Sequence, residues 1–178
     1  ILIVVGSIPV GIIGLIFKDK IEAFASVKEV GFALLITALA LFIVKNSKGK
    51  KKDNEITYKD AIIIGLFQMC ALLPGLSRSG MVLVGCLLCG LNRESSLKYT
   101  FMLYFPVSVA SFGLSSIDVL KSGIASNLLL SYFLGMVAAG IVTYFTYQWL
   151  SKIVQNGKLW KFSIYCVVVA LFIFIYFR

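Results

Sequence analysis

Between Asp60 and Arg93 the only charged side chain is Arg78. It stands in Pro74-Gly75-Leu76-Ser77-Arg78-Ser79-Gly80, with apolar segments at 61–73 and 81–91 on either side. Each segment is well short of the roughly 20 residues that a membrane-spanning helix needs. Non-helical backbone at membrane depth is tolerated only where protein buries it or a watery cavity borders it. Residues 61–91 are therefore expected to form a re-entrant hairpin: a half-helix, a tip at 74–80, and a second half-helix.

The rest of the chain is of the same kind. Of its 178 residues 60% are hydrophobic and only 14% charged, against about a quarter charged in a soluble domain. Helices are expected over 1–17, with a kink at Pro9; over 30–44, lengthened if it reaches back to Ser26 or Val27; and over 99–114, 127–150 and 162–177. The fold class is all-α, a polytopic transmembrane helical bundle, read as a single integral membrane domain over 1–178. No run alternates as a transmembrane β-strand does. Trp149 and Trp160 flank a loop at 151–159, where interfacial aromatics belong. The chain starts at Ile1, inside an apolar run and without the charged n-region of a signal peptide. The expectation is that the domain is incomplete at its N-terminus.

The net charge of +9 is carried by lysines in short loops, as the positive-inside rule expects. It does not point to nucleic acid. If 61–91 returns to the side it left, Lys45, Lys48, Lys50, Lys51, Lys52, Lys59, Arg93, Lys98, Lys152, Lys158 and Lys161 share one side. Lys18, Lys20, Lys28, Lys121 and Arg178 share the other. A single crossing would divide the same charges evenly. The biased arrangement favours the returning hairpin and puts the 45–60 loop in the cytoplasm.

The tip reads as an anion cradle. Pro74 stops the incoming half-helix, and Gly75 and Gly80 allow close backbone approach. Ser77 or Ser79 suits the N-cap of the second half-helix. The free N–H groups and positive dipole end of that helix would face the same place as Arg78, in the way discontinuous membrane helices meet anionic ligands. Arg78 adds a planar donor fork suited to phosphate oxygens. The serine hydroxyls add donors, or one a nucleophile. The competing reading pairs Arg78 with a buried carboxylate that only pins the fold.

These residues carry a resemblance. Gln68, then Ala71-Leu72-Leu73-Pro74-Gly75-Leu76-Ser77-Arg78-Ser79-Gly80, resembles the second signature of the bacterial undecaprenyl pyrophosphate phosphatases, the bacitracin-resistance family. Gly90-Leu91-Asn92-Arg93-Glu94 and Tyr99 to Leu103 up to Pro106 follow in the family's order. Ile8-Pro9-Val10 and Gly14 to Asp19 resemble its earlier segment. The resemblance implies an inverted-repeat membrane enzyme of the bacterial cytoplasmic membrane. It would hydrolyse undecaprenyl diphosphate to the monophosphate and recycle the carrier lipid for cell-wall synthesis. Arg78, Ser77 and Ser79 would be catalytic, and Gly75, Gly80 and Gln68 would bind substrate. The family's other signature, a glutamate-bearing helix and a serine-rich loop ending in Gly-His, is absent, and the chain has no histidine. It is expected upstream, with any divalent cation (Mg or Ca) bound mainly there; no metal ligands are assigned in this chain. Val82 stands where many members have threonine. A prenyl-phosphate transporter or flippase using the same loop without hydrolysis is the rival from another class.

The remaining features read as structure. Cys86 and Cys89 lack a second pair to complete a zinc site and are expected to pack, as are Cys70 and Cys166. Gly135, Ala138, Ala139 and Gly140 form a small-residue patch for helix packing, with a homodimer left open. Glu94 and Asp118 read as boundary charges; Asp53, Glu55 and Asp60 read as solvated loop surface. This chain alone is expected to release no phosphate from a C15 or C55 prenyl diphosphate, a colorimetric phosphate assay being the measurement; clear turnover would show that the upstream signature is dispensable.

Overall fold

The computed structural model describes residues 1–17, 26–122 and 129–177, with backbone alone for 118–122 and 129. The described residues form seven α-helices and no strand. They are α1 (Leu2–Ile16), α2 (Val27–Val44), α3 (Tyr58–Cys70), α4 (Arg78–Leu88), α5 (Arg93–Ser122), α6 (Leu129–Gln155) and α7 (Trp160–Tyr176). Three of them, α2, α5 over 93–117 and α6 over 130–155, are long and apolar enough to cross a membrane. The architecture is the all-α, polytopic bundle that the apolar runs imply.

Polar caps place the helix starts. Ser26 and Glu29 form a reciprocal capping box, each side chain bonding the other's backbone N–H, and this draws α2 back to Val27. Asn92 Oδ1 accepts the Ser95 N–H at 2.8 Å. That cap starts α5 at Arg93, well ahead of the first apolar residue of the run expected at 99. α6 likewise runs on through Gln155, so the connection expected at 151–159 shrinks to 156–159, with Gly157 at φ +69°. Pro9 and Pro106 lie within α1 and α5 without ending them.

Lys51 holds the feet of the α3–α4 hairpin together. Its N–H donates to the Gly90 carbonyl (3.0 Å), and its carbonyl accepts the Asn92 N–H (2.9 Å). Its ammonium donates to Asp60 Oδ2 at 2.8 Å, in the first turn of α3. The pair of helices therefore leaves and returns at one end. Asp60 is not the solvated loop charge that its surroundings in the sequence suggest. It is buried, and Oδ2 also accepts from the Thr57 N–H and hydroxyl. Asp53 pairs with Lys98, while Glu55 is exposed and accepts the Lys52 N–H. Arg93 ties the same end further, donating to the carbonyls of Lys45 (3.2 Å) and Gln155 (3.4 Å) where α2 and α6 finish. A cation there complements the negative ends of both helices. Lys28 begins α2 at the opposite end; Lys18, Lys20, Arg178 and the side chains of Lys121 and Asp118 lie outside the described residues.

The shortest helix is at the centre. Every residue of α4 from Met81 to Leu87 is buried, as suits a helix apolar on all sides. Leu83, Val84 and Leu87 pack with Leu41, Val44 and Leu97; Val82 and Cys86 pack with Ile64, Tyr99 and Leu103. Cys86 thus fills the core, with Cys89 half-buried and Cys166 buried, whereas Cys70 is exposed rather than packed. α1 crosses α3 with backbones touching: a Cβ on Gly65 would sit 2.3 Å from the Gly6 carbonyl oxygen, the small-residue contact that membrane helices favour. By contrast α6 is almost wholly exposed. A Cβ on Gly135 or Gly140 would meet no atom within 4 Å, so the expected packing patch has no neighbour among the described residues.

The clamp sets a pH dependence. Burial alone would raise the Asp60 pKa, but the Lys51 ammonium and the Thr57 donors outweigh it and hold the carboxyl below its ordinary range. Its contribution is present above that ordinary range and fades as pH falls through the lowered value, below about pH 4. Asp60→Asn and Lys51→Ala should each lower the thermal midpoint in detergent, by roughly 1–3 kcal/mol at pH 7. The loss should shrink in acid, measured by intrinsic fluorescence.

Candidate functional site: the turn between α3 and α4

Residues 71–77 connect α3 to α4 midway along the bundle. The Ser77 N–H donates to Thr37 Oγ1 of α2 at 3.3 Å. Gly75 lies against Val30 and Ala33 of the same helix. At 1.5 Å per residue, Thr37 is about 10 Å and Val30 about 21 Å from the end of α2 at Val44. The turn therefore sits at mid-depth of a helix long enough to span a bilayer.

Two glycine-specific features allow this approach. Gly75 has φ +92°, in the left-handed region that other residues rarely enter. A Cβ there would also lie 2.8 Å from Val30 Cα and 2.9 Å from its carbonyl oxygen. Thr37 is fully buried, and its hydroxyl donates to the Ala33 carbonyl while it accepts from Ser77. It satisfies a backbone donor that no helix bond reaches. Sequence reasoning did not single it out, although it is the one polar residue within 30–44. That lone polarity is the signal that could have found it.

The N-cap of α4 is Ser77, whose Oγ accepts the Gly80 N–H at 3.1 Å. The Met81 N–H goes to the Ser77 carbonyl. Among the described residues the N–H groups of Arg78 and Ser79 have no acceptor, and the Arg78 guanidinium has no hydrogen-bond or ion-pair partner. The carboxylate that would make Arg78 a mere structural pin is therefore not found among them. Arg78 and Ser79 are both exposed at the start of the helix.

Three cavities border this turn. One of about 320 Å³ is lined by Gln68, Arg78, Ser79, Val82, Thr100, Phe101 and Tyr104. Gln68 is only 3% exposed, yet its Oε1 has no hydrogen-bond partner. A buried polar atom left unpaired costs about 1–3 kcal/mol, so a ligand there would relieve it. A second cavity of about 300 Å³ lies on the α2 and α7 side, with Thr37, Ser77, Ser79, Gly80 and Tyr165 in its wall. A third, of about 780 Å³, runs between α1 and α5 and is also lined by Arg78. Of the residues singled out by sequence, the structure brings Gln68, Arg78 and Ser79 onto one cavity. Ser77 and Gly80 face the second, with the Ser77 hydroxyl engaged as a cap, and Gly75 backs onto α2. Val82 presents no hydroxyl to the cavity it lines. No carboxylate lines any of the three. The result is a cluster of unpaired donors around an arginine at mid-depth, suited to a multiply charged anion.

Comparison with known proteins agrees in kind. Residues 1–172 match the family described as bacitracin resistance protein BacA. The chain belongs to that family. It is 42% identical over 175 residues to "Undecaprenyl-diphosphatase 2" of Bacillus thuringiensis (strain Al Hakam), covering 98% of this chain and 65% of the relative. It is 37% identical over 177 residues to "Undecaprenyl-diphosphatase" of Oceanobacillus iheyensis, covering 98% and 64%. "Undecaprenyl-diphosphatase 1" of Halalkalibacterium halodurans is 34% identical over 172 residues, at 96% and 63%. The chain thus spans just under two thirds of the length of these relatives.

Thr37 gives a direct check on the turn. Thr37→Val strands the Ser77 N–H and should lower the thermal midpoint by an amount equivalent to about 1–3 kcal/mol. Thr37→Ser, which keeps the acceptor, should stay close to the parent. Equal behaviour of the two variants in a thermal melt would remove the hydrogen bond from this account.

Proposed function

We propose that the protein hydrolyses undecaprenyl diphosphate to undecaprenyl phosphate and inorganic phosphate. This would return the carrier lipid to cell-wall synthesis and confer bacitracin resistance. The observation that carries the reading is the mid-depth turn, where the Arg78 guanidinium, two unpaired helix N–H groups and the Ser79 hydroxyl border one cavity with an unpaired Gln68 amide. Family membership and the printed names of the relatives support the substrate. In this reading the α3–α4 hairpin re-enters the bacterial cytoplasmic membrane, and the lysine-rich 45–60 loop faces the cytoplasm.

The chemistry assigned to the turn is grip and charge stabilisation. Arg78 holds two oxygens of the diphosphate through its planar fork. The Arg78 and Ser79 N–H groups and the positive end of α4 meet charge on the same phosphates. Such donors, fixed before the reaction, stabilise the charge that shifts onto the leaving phosphate as the anhydride bond breaks. Ser79, whose hydroxyl is uncommitted, is a better candidate for substrate contact than Ser77, whose lone pair is used as a cap. The groups that move the proton are not among the side chains lining the turn. Nor do those side chains fit a divalent cation: they are donors and hydroxyls, and no group of three or more His, Cys, Asp or Glu lies together among the described residues. No step here runs through a metal.

In the intact protein, Arg78→Ala should lower phosphate release from prenyl diphosphate about 10²–10³-fold with the fold retained. Arg78→Lys should recover only part of this, since a point charge cannot supply the bidentate fork. Undiminished turnover by the alanine variant would sink the assignment.

A further inference from the structure

The cavity of about 780 Å³ differs in chemistry from the one that holds Gln68. Its walls are Val10, Gly11, Gly14 and Leu15 of α1, residues 71–76 of the turn, and Pro106, Val107, Ala110 and Leu114 of α5. Besides Arg78, its polar side chains are Ser111 and Ser7, and the Ser7 hydroxyl already donates to the Ile3 carbonyl. Arg78 lines both this cavity and the polar one. An occupant that uses both is an amphiphile whose anionic head meets its apolar part at Arg78.

Two glycines leave the space open. A Cβ on Gly11 would meet nothing within 4 Å, and one on Gly14 would meet only Leu72, at 3.8 Å. Neither glycine has positive φ, so neither is there for backbone conformation. What their missing side chains provide is room. The volume lies within the roughly 300–1,000 Å³ of typical ligand pockets. A lipid tail gains little hydrophobic free energy by moving from bilayer into such a cavity, because acyl chains are as apolar as leucine. The cavity can therefore select by shape, and set where the head lands, rather than supply affinity.

We infer that the α1–α5 cavity seats the first isoprene units of the lipid whose diphosphate lies at Arg78, with Gly11 and Gly14 setting its bore. The inference rests on the diphosphate reading of Arg78 and adds to it a site for the tail. Methyl-branched, unsaturated units are wide and stiff, and room at two glycines suits them better than it would a side-chain-filled wall.

The test uses the intact protein in nanodiscs and three probes: inorganic diphosphate, a C15 prenyl diphosphate and a C55 prenyl diphosphate. Gly11→Phe should raise KM for both lipids about tenfold or more. Inhibition by inorganic diphosphate should stay at the parental level, whereas Arg78→Ala should weaken all three probes. If Gly11→Phe leaves the lipids unaffected, or weakens inorganic diphosphate equally, the cavity is not the tail site. A prenyl diphosphate with a diazirine on its first isoprene unit provides a check on the unaltered protein. Crosslinks should fall on 10–15 and 106–114; crosslinks confined to α6, or to some other protein segment occupying the cavity, would overturn the inference. Lipid that crosslinks there without being hydrolysed would leave the tail site standing and overturn the proposed reaction instead.

Discussion

A helix broken at the middle of a membrane-grade bundle leaves polar backbone groups where little water can reach them, and the rest of this structure depends on how they are satisfied. Thr37 takes the Ser77 N–H, Ser77 takes the Gly80 N–H, and Gly75 lets the chain lie directly on α2. The N–H groups of Arg78 and Ser79 are left over. In a lipid setting unpaired donors are costly, so a site that keeps two of them beside an arginine is organised for something that brings acceptors. The same constraint explains both the order of the turn and its readiness to bind an anion.

Holding such a turn in place requires rigid surroundings, and the other interactions serve that end. Lys51 joins the two feet of the hairpin and Arg93 joins the ends of α2 and α6 to the start of α5. α4, too short to span a membrane, is packed on both sides by the two core clusters. A positioned anion grip built on short buried helices is more precise than one on an exposed loop. The division of labour around Arg78 follows from this packing. Polar donors gather on the α4–α5 side and apolar walls on the α1–α5 side, so one arginine stands where a charged head and an apolar tail would meet.

Much of this was legible in the residues. The apolar runs named the helices, and their shortness around 74–80 named the turn. The capping residues Ser26 and Ser77 were readable as local chemistry. Boundaries failed where polar turns continue a helix: Arg93 to Lys98 and Ser151 to Gln155 read as loop because hydropathy reports burial in lipid, not helical backbone. Asp60 was misjudged for a related reason. Its sequence neighbours are charged and solvated, but its partners Lys51 and Thr57 reach it only when the loop folds back. The small-residue patch on α6 was expected to pack and meets no neighbour, since side-chain size says what a helix can approach and not what lies beside it.

By itself the sequence determined the class of the protein, the place of the break and the family, because these rest on local hydrophobicity and a contiguous motif. Only the tertiary structure decided which of the motif's groups are used up and which are free. Ser77 is spent as a cap, Gly75 is spent on contact with α2, and Arg78, Ser79 and Gln68 are left facing a common cavity. It also revealed Thr37, forty residues away in the chain, as the acceptor that fixes the turn. The physical reason is that a hydrogen bond's partner is chosen by distance in space, and no local pattern encodes which helix will lie alongside.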